Sequence, residues 1–427
     1  MARRKIREYD SKRLLSEYMK KASGGSIVHK TREVQVTPET DIDKLEKEHP
    51  WLEKTKLVVK PDMLFGKRGK SKLILLDADL KSAKKFLKEK MNSEIEIKGV
   101  KGVLTHFLVE PFVQHEKEYY FSIITQRDED SIAFSTEGGV DVEKNWEKMI
   151  HITVPVGTEP KVDEIEKKLS NIPEDRRRKT AEFIVAAYKI FVDLDFTLLE
   201  FNPFTYDSEG NPFPLDARGE IDDTAEFKDS KKWGNLEFPQ PFGRKLFPEE
   251  KYIADCDAKT GASLKLTILN PNGRIWTMVA GGGASVIYAD TVADLGFGNE
   301  LGNYGEYSGN PNEEETYEYA KTTLDLATRN PDGKSRALII GGGIANFTDV
   351  ANTFKGIIRA LKDYREKLKK ANVRIFVRRG GPNYKTGLEL MKKLGDELGV
   401  PIAVYGPETH MTKIVPMAID WIKGGVQ

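Results

Sequence analysis

The chain has 427 residues, more than one hydrophobic core usually organises, so we expect two or three domains. Lys+Arg and Asp+Glu balance at 67 each, which argues against a global electric field that attracts nucleic acid or anionic lipid. Hydrophobic residues make up 39%, and strand-like and helix-like stretches alternate, which excludes a disordered chain and predicts the α/β class.

The chain contains one cysteine, Cys256, which cannot form an internal disulfide and so fits a reducing cytoplasm. The first residues, MARRKIR, lack the apolar stretch of a signal peptide, and no run of about 18 apolar residues follows. These features predict a soluble, cytoplasmic protein that binds neither membranes nor nucleic acid.

The first half has the pattern of an α+β region with antiparallel strands. Predicted helices lie at 12–22, 80–91 and 174–192, and predicted strands at 56–59, 73–76, 103–113, 119–125, 132–135 and 197–202. The stretch 233–248 contains three prolines and two glycines without a sustained period, and it is the predicted interdomain linker.

The second half repeats a strand, a glycine turn and a helix. Predicted strands at 274–279, 336–340, 373–377 and 402–404 are each followed by a glycine-containing turn. This repeat predicts a doubly wound parallel sheet of the flavodoxin-like type, in which ligands bind beyond the carboxyl ends of the strands. The helix at 312–329 is a poor anion site because it opens with Glu313, Glu314 and Glu315.

A basic loop at 65–71 lies between two predicted strands, just downstream of Lys60. Only two residues separate Gly66 from Gly69, whereas a P-loop needs four, so we reject a P-loop. The loop is either a solvated basic turn or a flexible segment that closes over a polyphosphate.

Asn202 and Asp216 end two predicted neighbouring strands. An amide oxygen and a carboxylate form part of the oxygen shell that Mg²⁺ accepts. A turn asparagine and a helix-capping aspartate explain the same residues, and the residue pattern by itself favours this structural explanation. None of the six histidines has the spacing of a metal site, and we expect them to be structural.

The turn 341–348 combines three glycines with Asn346 and Thr348 before a predicted helix. Its backbone N–H groups suit a carboxylate or phosphate, and Arg378 or Arg379 could clamp a second carboxylate. Packing glycines are the alternative for any one such turn, but several converging turns with an arginine favour anion binding.

Longer stretches resemble a known family. VVKPD (58–62), VEPFV (109–113), EGGVD (137–141) and LEFNP (199–203) resemble the ATP-grasp half of the succinyl-CoA synthetase β-subunit superfamily. WGNLEFP (233–239), RIWTMVAGGGAS (274–285), NYGEYSG (303–309) and FVRRGGPNY (376–384) are similar to ATP-citrate lyases. The resemblance implies an ATP-grasp domain at 1–240 and a flavodoxin-like citrate-binding domain at 241–427.

The resemblance also implies site residues. The ATP contacts would be Lys60, Arg68, Gly69, Pro111, Val113 and Glu118, the Mg²⁺ ligands Asn202 and Asp216, and the citrate contacts Gly309, Asn346, Thr348, Tyr364 and Arg379. The helix opened by Gly281, Gly282, Gly283, Ala284 and Ser285 would face a phosphohistidine loop.

Parts of the family's machinery have no counterpart in this sequence. In the family, a Gly-His-Ala-Gly-type loop carries the phosphorylated histidine, and none of the six histidines here lies in such a sequence. The CoA-binding and citrate-synthase-like modules of the family also have no match in this sequence. The resemblance therefore implies the shorter subunit of a split ATP-citrate lyase, with a larger partner that supplies the histidine and binds CoA. The alternatives are the larger subunit of a citryl-CoA synthetase and a non-catalytic nucleotide- or citrate-sensing module.

Overall fold

The computed structural model describes residues 3–28, 32–66, 68, 72–139, 142, 149–259 and 261–424. The chain divides into two compact units, Met1–Lys245 and Leu246–Gln427. Within the described ranges, every helix is too short or too polar to cross a membrane.

The first unit combines antiparallel sheets with helices. Its strands are β1 (Arg3–Ile6), β2 (Val34–Val36), β3 (Leu57–Pro61), β4 (Leu75–Ala78), β5 (Glu94–Ile97), β6 (Val100–Val103), β7 (Phe107–Pro111), β8 (Tyr119–Thr125), β9 (Glu129–Ser135), β10 (Ile150–Pro155), β11 (Phe196–Tyr206), β12 (Pro212–Pro214) and β13 (Ala217–Asp222). Its helices are α1 (Glu8–Ala22), α2 (Leu45–Glu48), α3 (Leu80–Lys90), α4 (Val162–Lys168), α5 (Glu174–Asp193) and α6 (Glu226–Trp233).

The described strands of this unit form a large sheet in the order β1-β13-β11-β8-β9-β10, with β12 beside β11, and a smaller sheet in the order β2-β7-β3-β4. The remaining strands, β5 and β6, pair with each other as an antiparallel hairpin. Helices α1 and α5 cover the larger sheet, and rings on β8, α5 and β11 meet in its core, with Phe121 and Phe201 stacked at 5.5 Å between centroids. Helix α3 packs on the smaller sheet through Ala83 and Leu87. Two separate cores thus stabilise the first unit.

The predicted linker packs for much of its length against the first unit. Trp233 is buried, and its indole N–H donates to the Leu194 carbonyl at 3.0 Å. Phe242 contacts Phe65, with 4.7 Å between the ring centroids. These contacts tie the segment to the first unit.

The second unit contains the strand–helix repeat that the sequence predicts. Its elements are α7 (Pro248–Asp257), β14 (Ser263–Ile268), β15 (Ile275–Ala280), α8 (Gly282–Val292), β16 (Asn303–Ser308), α9 (Glu313–Thr328), β17 (Arg336–Gly342), α10 (Val350–Asp363), α11 (Arg365–Lys370), β18 (Val373–Arg378), α12 (Tyr384–Leu398), β19 (Ile402–Tyr405) and α13 (Ile414–Ile422).

The sheet of the second unit has the order β14-β16-β15-β17-β18-β19. The strands β15 to β19 run parallel in the flavodoxin-like order 2-1-3-4-5, and β14 adds an antiparallel edge beside β16. Apolar clusters cover both faces, one with α9, α10 and α12 and the other with α8 and α13. This confirms the predicted doubly wound sheet, apart from its antiparallel edge.

Candidate functional site

The first unit contains a cavity of about 340 Å³ whose walls carry several charged side chains, among them Glu8, Asp62, Arg68, Asn202 and Asp216. Lys60 is not part of this lining but contacts Glu8, which is, and the register of β3 and β7 explains its position. Lys60 lies opposite Leu108, and Val58 lies opposite Glu110, so Lys60 and Glu110 share a face of the sheet. The alternate residues of β3, Leu57 and Val59, point into the core.

Lys60 is buried in a cluster of charges. Its Nζ lies 2.6 Å from Glu8 Oε1, 2.7 Å from Glu110 Oε1 and 2.6 Å from the Leu215 carbonyl oxygen. Lys12 Nζ contacts the same two carboxylates, at 2.9 Å and 2.6 Å. Burial opposes ionisation of Glu8, but Lys12, Lys60 and a nearby arginine outweigh it and hold the pKa of Glu8 well below its ordinary value.

That arginine is Arg68, which links the basic loop to the cavity wall. Its guanidinium forms an ion pair with Glu8 Oε2 at 2.8 Å, and it donates to the Pro61 carbonyl at 2.9 Å and to Asp216 Oδ1 at 2.6 Å. The structure thus brings Lys60, Arg68 and Asp216 into one connected network. Gly69, the other residue predicted in this loop, lies outside the described residues.

Asn202 adjoins Asp216 through the backbone, because its N–H donates to the Asp216 carbonyl at 3.1 Å. The Asn202 amide oxygen accepts the Gly139 N–H at 2.8 Å. Asp216 retains a side chain that is 42% exposed, so its carboxylate is accessible from the cavity. Across the described ranges, no three His, Cys, Asp or Glu side chains group to hold a metal by themselves.

Three further predicted residues lie outside the described lining of this cavity. Pro111 ends β7, and the Val113 carbonyl contacts His115 Nδ1 at 2.7 Å. Glu118 lies beside Gly139, the residue that also bonds to Asn202, because a Cβ on Gly139 would come 2.8 Å from Glu118 Oε2. Glu118 is therefore connected to the cavity wall through one glycine.

The second unit contains a cavity of about 320 Å³ beyond the carboxyl ends of β15, β16, β17 and β18. Gly309, Thr348 and Arg379 line it, as do Gly281, Gly283 and Ala284 at the start of α8. The strand order changes direction between β15 and β17, so the cavity lies at the switch point where such sheets bind ligands. Gly282 and Ser285 belong to the same helix start, where the Ser285 hydroxyl donates to the Gly281 carbonyl at 3.0 Å.

The structure distinguishes the two adjacent arginines. Arg378 donates to the Thr409, Gly342 and Pro407 carbonyls at 2.9, 2.9 and 3.3 Å and is thereby committed to the backbone. Arg379 is 2% exposed and donates to the Gly343 carbonyl at 3.2 Å, while its Nε has no partner in the described structure.

Two predicted citrate contacts lie elsewhere. Asn346 is exposed in the turn between Ala345 and Phe347, which both line the cavity, although Asn346 does not. Tyr364 follows the last residue of α10, whose 14 residues span about 21 Å from their start near Thr348. Tyr364 lines a different cavity of about 360 Å³, with its hydroxyl 3.4 Å from Asp325, so the structure does not group it with Arg379.

The comparisons with known proteins agree with one another. A family model described as the ATP-citrate synthase ATP-grasp domain matches residues 2–233, and one described as ATP citrate lyase citrate-binding matches 244–421. ATP-citrate synthase alpha chain protein 2 of Arabidopsis thaliana is 57% identical over 99% of both chains. This chain belongs to the ATP-citrate synthase family.

Solved structures extend the match to the fold of this ATP-citrate synthase family member. The structure of ATP citrate lyase from Methanothrix soehngenii in complex with citrate and coenzyme A is 52% identical, with a TM-score of 0.90 over 98% of this chain and all of that one. The human ATP-citrate synthase is 49% identical, but the match covers 38% of its length. The resemblance to ATP-citrate lyases and the predicted fold class are confirmed.

The sequence analysis of this family member missed several residues near the two cavities. Glu8 and Lys12 lie four residues apart on one face of α1, a spacing that also occurs in ordinary surface helices. Asp62 is buried, and its carboxylate accepts the Glu8 N–H at 2.8 Å and the Gln35 side-chain N–H at 3.0 Å. Tyr307 lines the second cavity, and its buried hydroxyl has no partner among the described residues.

Proposed function

We propose that this chain is the ATP- and citrate-binding subunit of an ATP-citrate lyase that works with a second, larger subunit. The first unit is the ATP-grasp, nucleotide-binding domain, and the second is the citrate-binding domain. The observation that carries the proposal is the pair of cavities. Each is lined by a cationic side chain of its own unit, Arg68 in the first and Arg379 in the second. Family membership indicates the reaction, and the two cavities indicate where its anionic substrates bind.

ATP binds in the first unit, with Lys60 and Arg68 on its phosphates. Arg68 lines the 340 Å³ cavity, and Lys60 contacts Glu8, which lines it as well, so both cations lie beside the space where a polyphosphate would bind. Pro111, Val113 and Glu118 contact the nucleoside at the exit of β7, and Gly69 completes the phosphate contacts. A triphosphate needs additional positive charge here, because Lys60 and Arg68 are already balanced by Glu8 and Glu110.

Asn202 and Asp216 hold Mg²⁺ together with ATP. The donor set fits this ion, since Mg²⁺ prefers one or two protein oxygens completed by phosphate oxygens and water. The Asp216 side chain is partly exposed, and the Asn202 backbone N–H donates to the Asp216 backbone carbonyl at 3.1 Å, which keeps the two residues adjacent. When bound, Mg²⁺ neutralises charge on the phosphates, while Lys60 and Arg68 orient the γ-phosphoryl group for transfer.

Citrate binds in the second unit. Arg379 pairs with one carboxylate, and the turn that contains Asn346 and Thr348 binds another through backbone and side-chain donors. Gly309 permits close approach because its φ is +76°, in the left-handed region. The unpartnered Nε of the buried Arg379 supports a ligand here, since such a donor is costly unless something binds it. Tyr364 is not part of this proposed site.

The larger subunit supplies the histidine that carries phosphate between the cavities, and it binds CoA. The helix start at Gly281–Ser285 faces that phosphohistidine loop. Transfer of the phosphate to citrate gives citryl phosphate, CoA displaces the phosphate to give citryl-CoA, and the partner cleaves citryl-CoA to acetyl-CoA and oxaloacetate. The Methanosaeta concilii ATP citrate lyase complex with (3S)-citryl-CoA, 50% identical with a TM-score of 0.89, supports this order.

The test compares the purified chain alone with the chain mixed with its larger subunit, each given ATP, Mg²⁺, citrate and CoA. We expect citrate and nucleotide binding by the chain alone, and acetyl-CoA production only with both subunits. Turnover by the isolated chain would contradict the split enzyme. Citrate binding without any ATP-dependent phosphorylation of the larger subunit would instead indicate a sensor, and accumulation of citryl-CoA would indicate a citryl-CoA synthetase.

A further inference from the structure

A closed ring of four charges lies beside the cavity of the first unit, and three of its members have no role in the sites above. The four-charge ring consists of Glu8, Lys12, Lys60 and Glu110. Its four ion pairs measure 2.9 Å for Lys12–Glu8, 2.6 Å for Lys12–Glu110, 2.7 Å for Lys60–Glu110 and 2.6 Å for Lys60–Glu8. Each positive charge therefore contacts two negative charges, and each negative charge two positive ones.

The four-charge ring connects the two sheets of the first unit. Glu8 and Lys12 are on α1, which packs on the larger sheet, whereas Lys60 and Glu110 are on β3 and β7 of the smaller sheet. The Leu215 carbonyl accepts from both Lys12 and Lys60, at 3.1 and 2.6 Å, and Leu215 precedes Asp216. The position of the Lys60 ammonium thus depends on α1 and on the segment that carries Asp216.

Glu8 has the central place in this network. One of its oxygens contacts Lys12 and Lys60, and the other contacts Arg68. All four ring members are at most 5% exposed, so water screens their interactions weakly. Without the Glu8 charge, two buried ammonium groups would share Glu110 alone, which destabilises the unit, and Lys60 and Arg68 would each lose an ion pair that fixes their position.

We propose that Glu8 and Lys12 are positioning residues for phosphoryl transfer, because they hold the Lys60 ammonium and the Arg68 guanidinium where the phosphates of ATP bind. This inference rests on the proposed function, since it requires Lys60 and Arg68 to be the phosphate-binding cations. Neither Glu8 nor Lys12 contacts the nucleotide in this proposal; both act through Lys60.

The first test is Glu8→Gln in the full chain, assayed with the larger subunit. A displacement of about 1 Å in a positioning group can cost roughly 100-fold in rate. We expect kcat to fall by roughly 30-fold or more and the KM for ATP to change by less than about threefold, because Lys60 acts mainly on the transition state. Asp10→Asn is the matched control, since Asp10 is also buried on α1 but pairs with Arg13 at 3.1 Å, outside the ring.

A second variant, Glu8→Gln with Lys12→Gln, separates positioning from stability. It restores neutrality, because one positive and one negative charge leave the ring together, so the melting temperature should recover towards wild type. We expect kcat to stay low, since Lys60 still lacks Glu8. Recovery of both kcat and the melting temperature in the double variant would show that Glu8 has only a structural role and would overturn the inference. The double variant can be measured even if Glu8→Gln alone does not fold.

ADP binding distinguishes failure of this inference from failure of the proposed function. If the wild-type chain does not bind ADP and Lys60→Met leaves turnover unchanged, the nucleotide site itself is wrong. If Lys60→Met abolishes turnover while folded Glu8→Gln keeps wild-type kcat and KM, the positioning inference alone is wrong.

Discussion

Arg378 and Arg379 are neighbours in sequence and are both buried, but they bond to different groups. Arg378 uses its donors on three backbone carbonyls, whereas Arg379 has one carbonyl partner among the described residues and an unpaired Nε beside the second cavity. The residue pattern could not choose between them, because the choice depends on which side chain reaches the switch point of the sheet, although the family resemblance implied Arg379. The structure selects Arg379 as the residue near the proposed citrate site.

We predict that Arg379→Lys and Arg378→Lys will separate binding from stability. Lysine lacks the planar fork that pairs with a carboxylate, so Arg379→Lys should weaken citrate binding by roughly 10- to 100-fold with a small change in unfolding free energy. Arg378→Lys should destabilise the fold by about 2–3 kcal/mol, because lost donors leave buried carbonyls unpaired. Calorimetry measures the citrate affinity of each variant, and urea denaturation measures its free energy of unfolding. An equal loss of citrate affinity in the two variants would contradict the assignment of Arg379 to the citrate site.

Asp62 predicts a pH dependence of stability. Burial, with Glu8 nearby, raises its pKa from 3.8 to about 6. Between pH 4 and pH 6 the Asp62 carboxyl therefore keeps a proton in the folded state that it has lost in the unfolded state. The stabilisation from this proton is fully present below pH 4 and is lost as the pH rises through 6. The shift corresponds to at most about 3 kcal/mol.

Asp62→Asn should remove this dependence. Relative to wild type, the variant should gain up to about 3 kcal/mol of unfolding free energy between pH 4 and pH 8, measured by urea denaturation at several pH values. Asp79→Asn is a control of opposite sign, because the bond from Ser82 lowers the pKa of the exposed Asp79. If the unfolding free energies of the wild type and of Asp62→Asn change with pH in parallel, the prediction is wrong.

At the scale of elements, the sequence predicts a helix or strand correctly where the local residue pattern determines its bounds. The prediction fails where a contact with a residue distant in sequence determines them. The helix predicted from residue 12 begins at Glu8, because the Asp62 carboxylate accepts the Glu8 N–H from 54 positions away. The strand predicted at 103–113 is divided, since β6 pairs with β5 while β7 joins the smaller sheet. Lys60 was a candidate from its motif, but its contact with Glu8 required the fold.

Close packing of α9 against α10 gives a prediction at the element scale. A Cβ on Gly356 in α10 would overlap the Glu313 carbonyl oxygen and the Thr316 hydroxyl of α9. Gly356→Ala should therefore destabilise the chain by about 2 kcal/mol or more despite the better helix propensity of alanine. Gly283→Ala, at a helix position with nothing within 4 Å, should be neutral or slightly stabilising in the same urea titration. Equal effects of the two variants would mean that α9 and α10 are not in close contact.

At the scale of the whole molecule, the two units have separate cores, and each contains one of the two proposed ligand cavities. The sequence predicted the α/β class and the glycine turns of the second unit because that repeat is local. It could not predict which turns converge, since convergence follows from the strand order β16-β15-β17-β18. Separate cavities imply that each ligand stabilises mainly the unit that binds it.

We therefore predict that hydrogen exchange will map the two ligands to different units of the full chain. A ligand at 100 times its Kd stabilises its binding state by about 2.7 kcal/mol, which slows exchange by up to about 100-fold where opening releases the ligand. Citrate should protect the 341–348 turn and the start of α8, and ADP with Mg²⁺ should protect β3 and β7. Arg379→Lys should reduce the first effect alone and Lys60→Met the second alone. Protection of β3 and β7 by citrate that survives Lys60→Met but not Arg379→Lys would instead demonstrate coupling between the units.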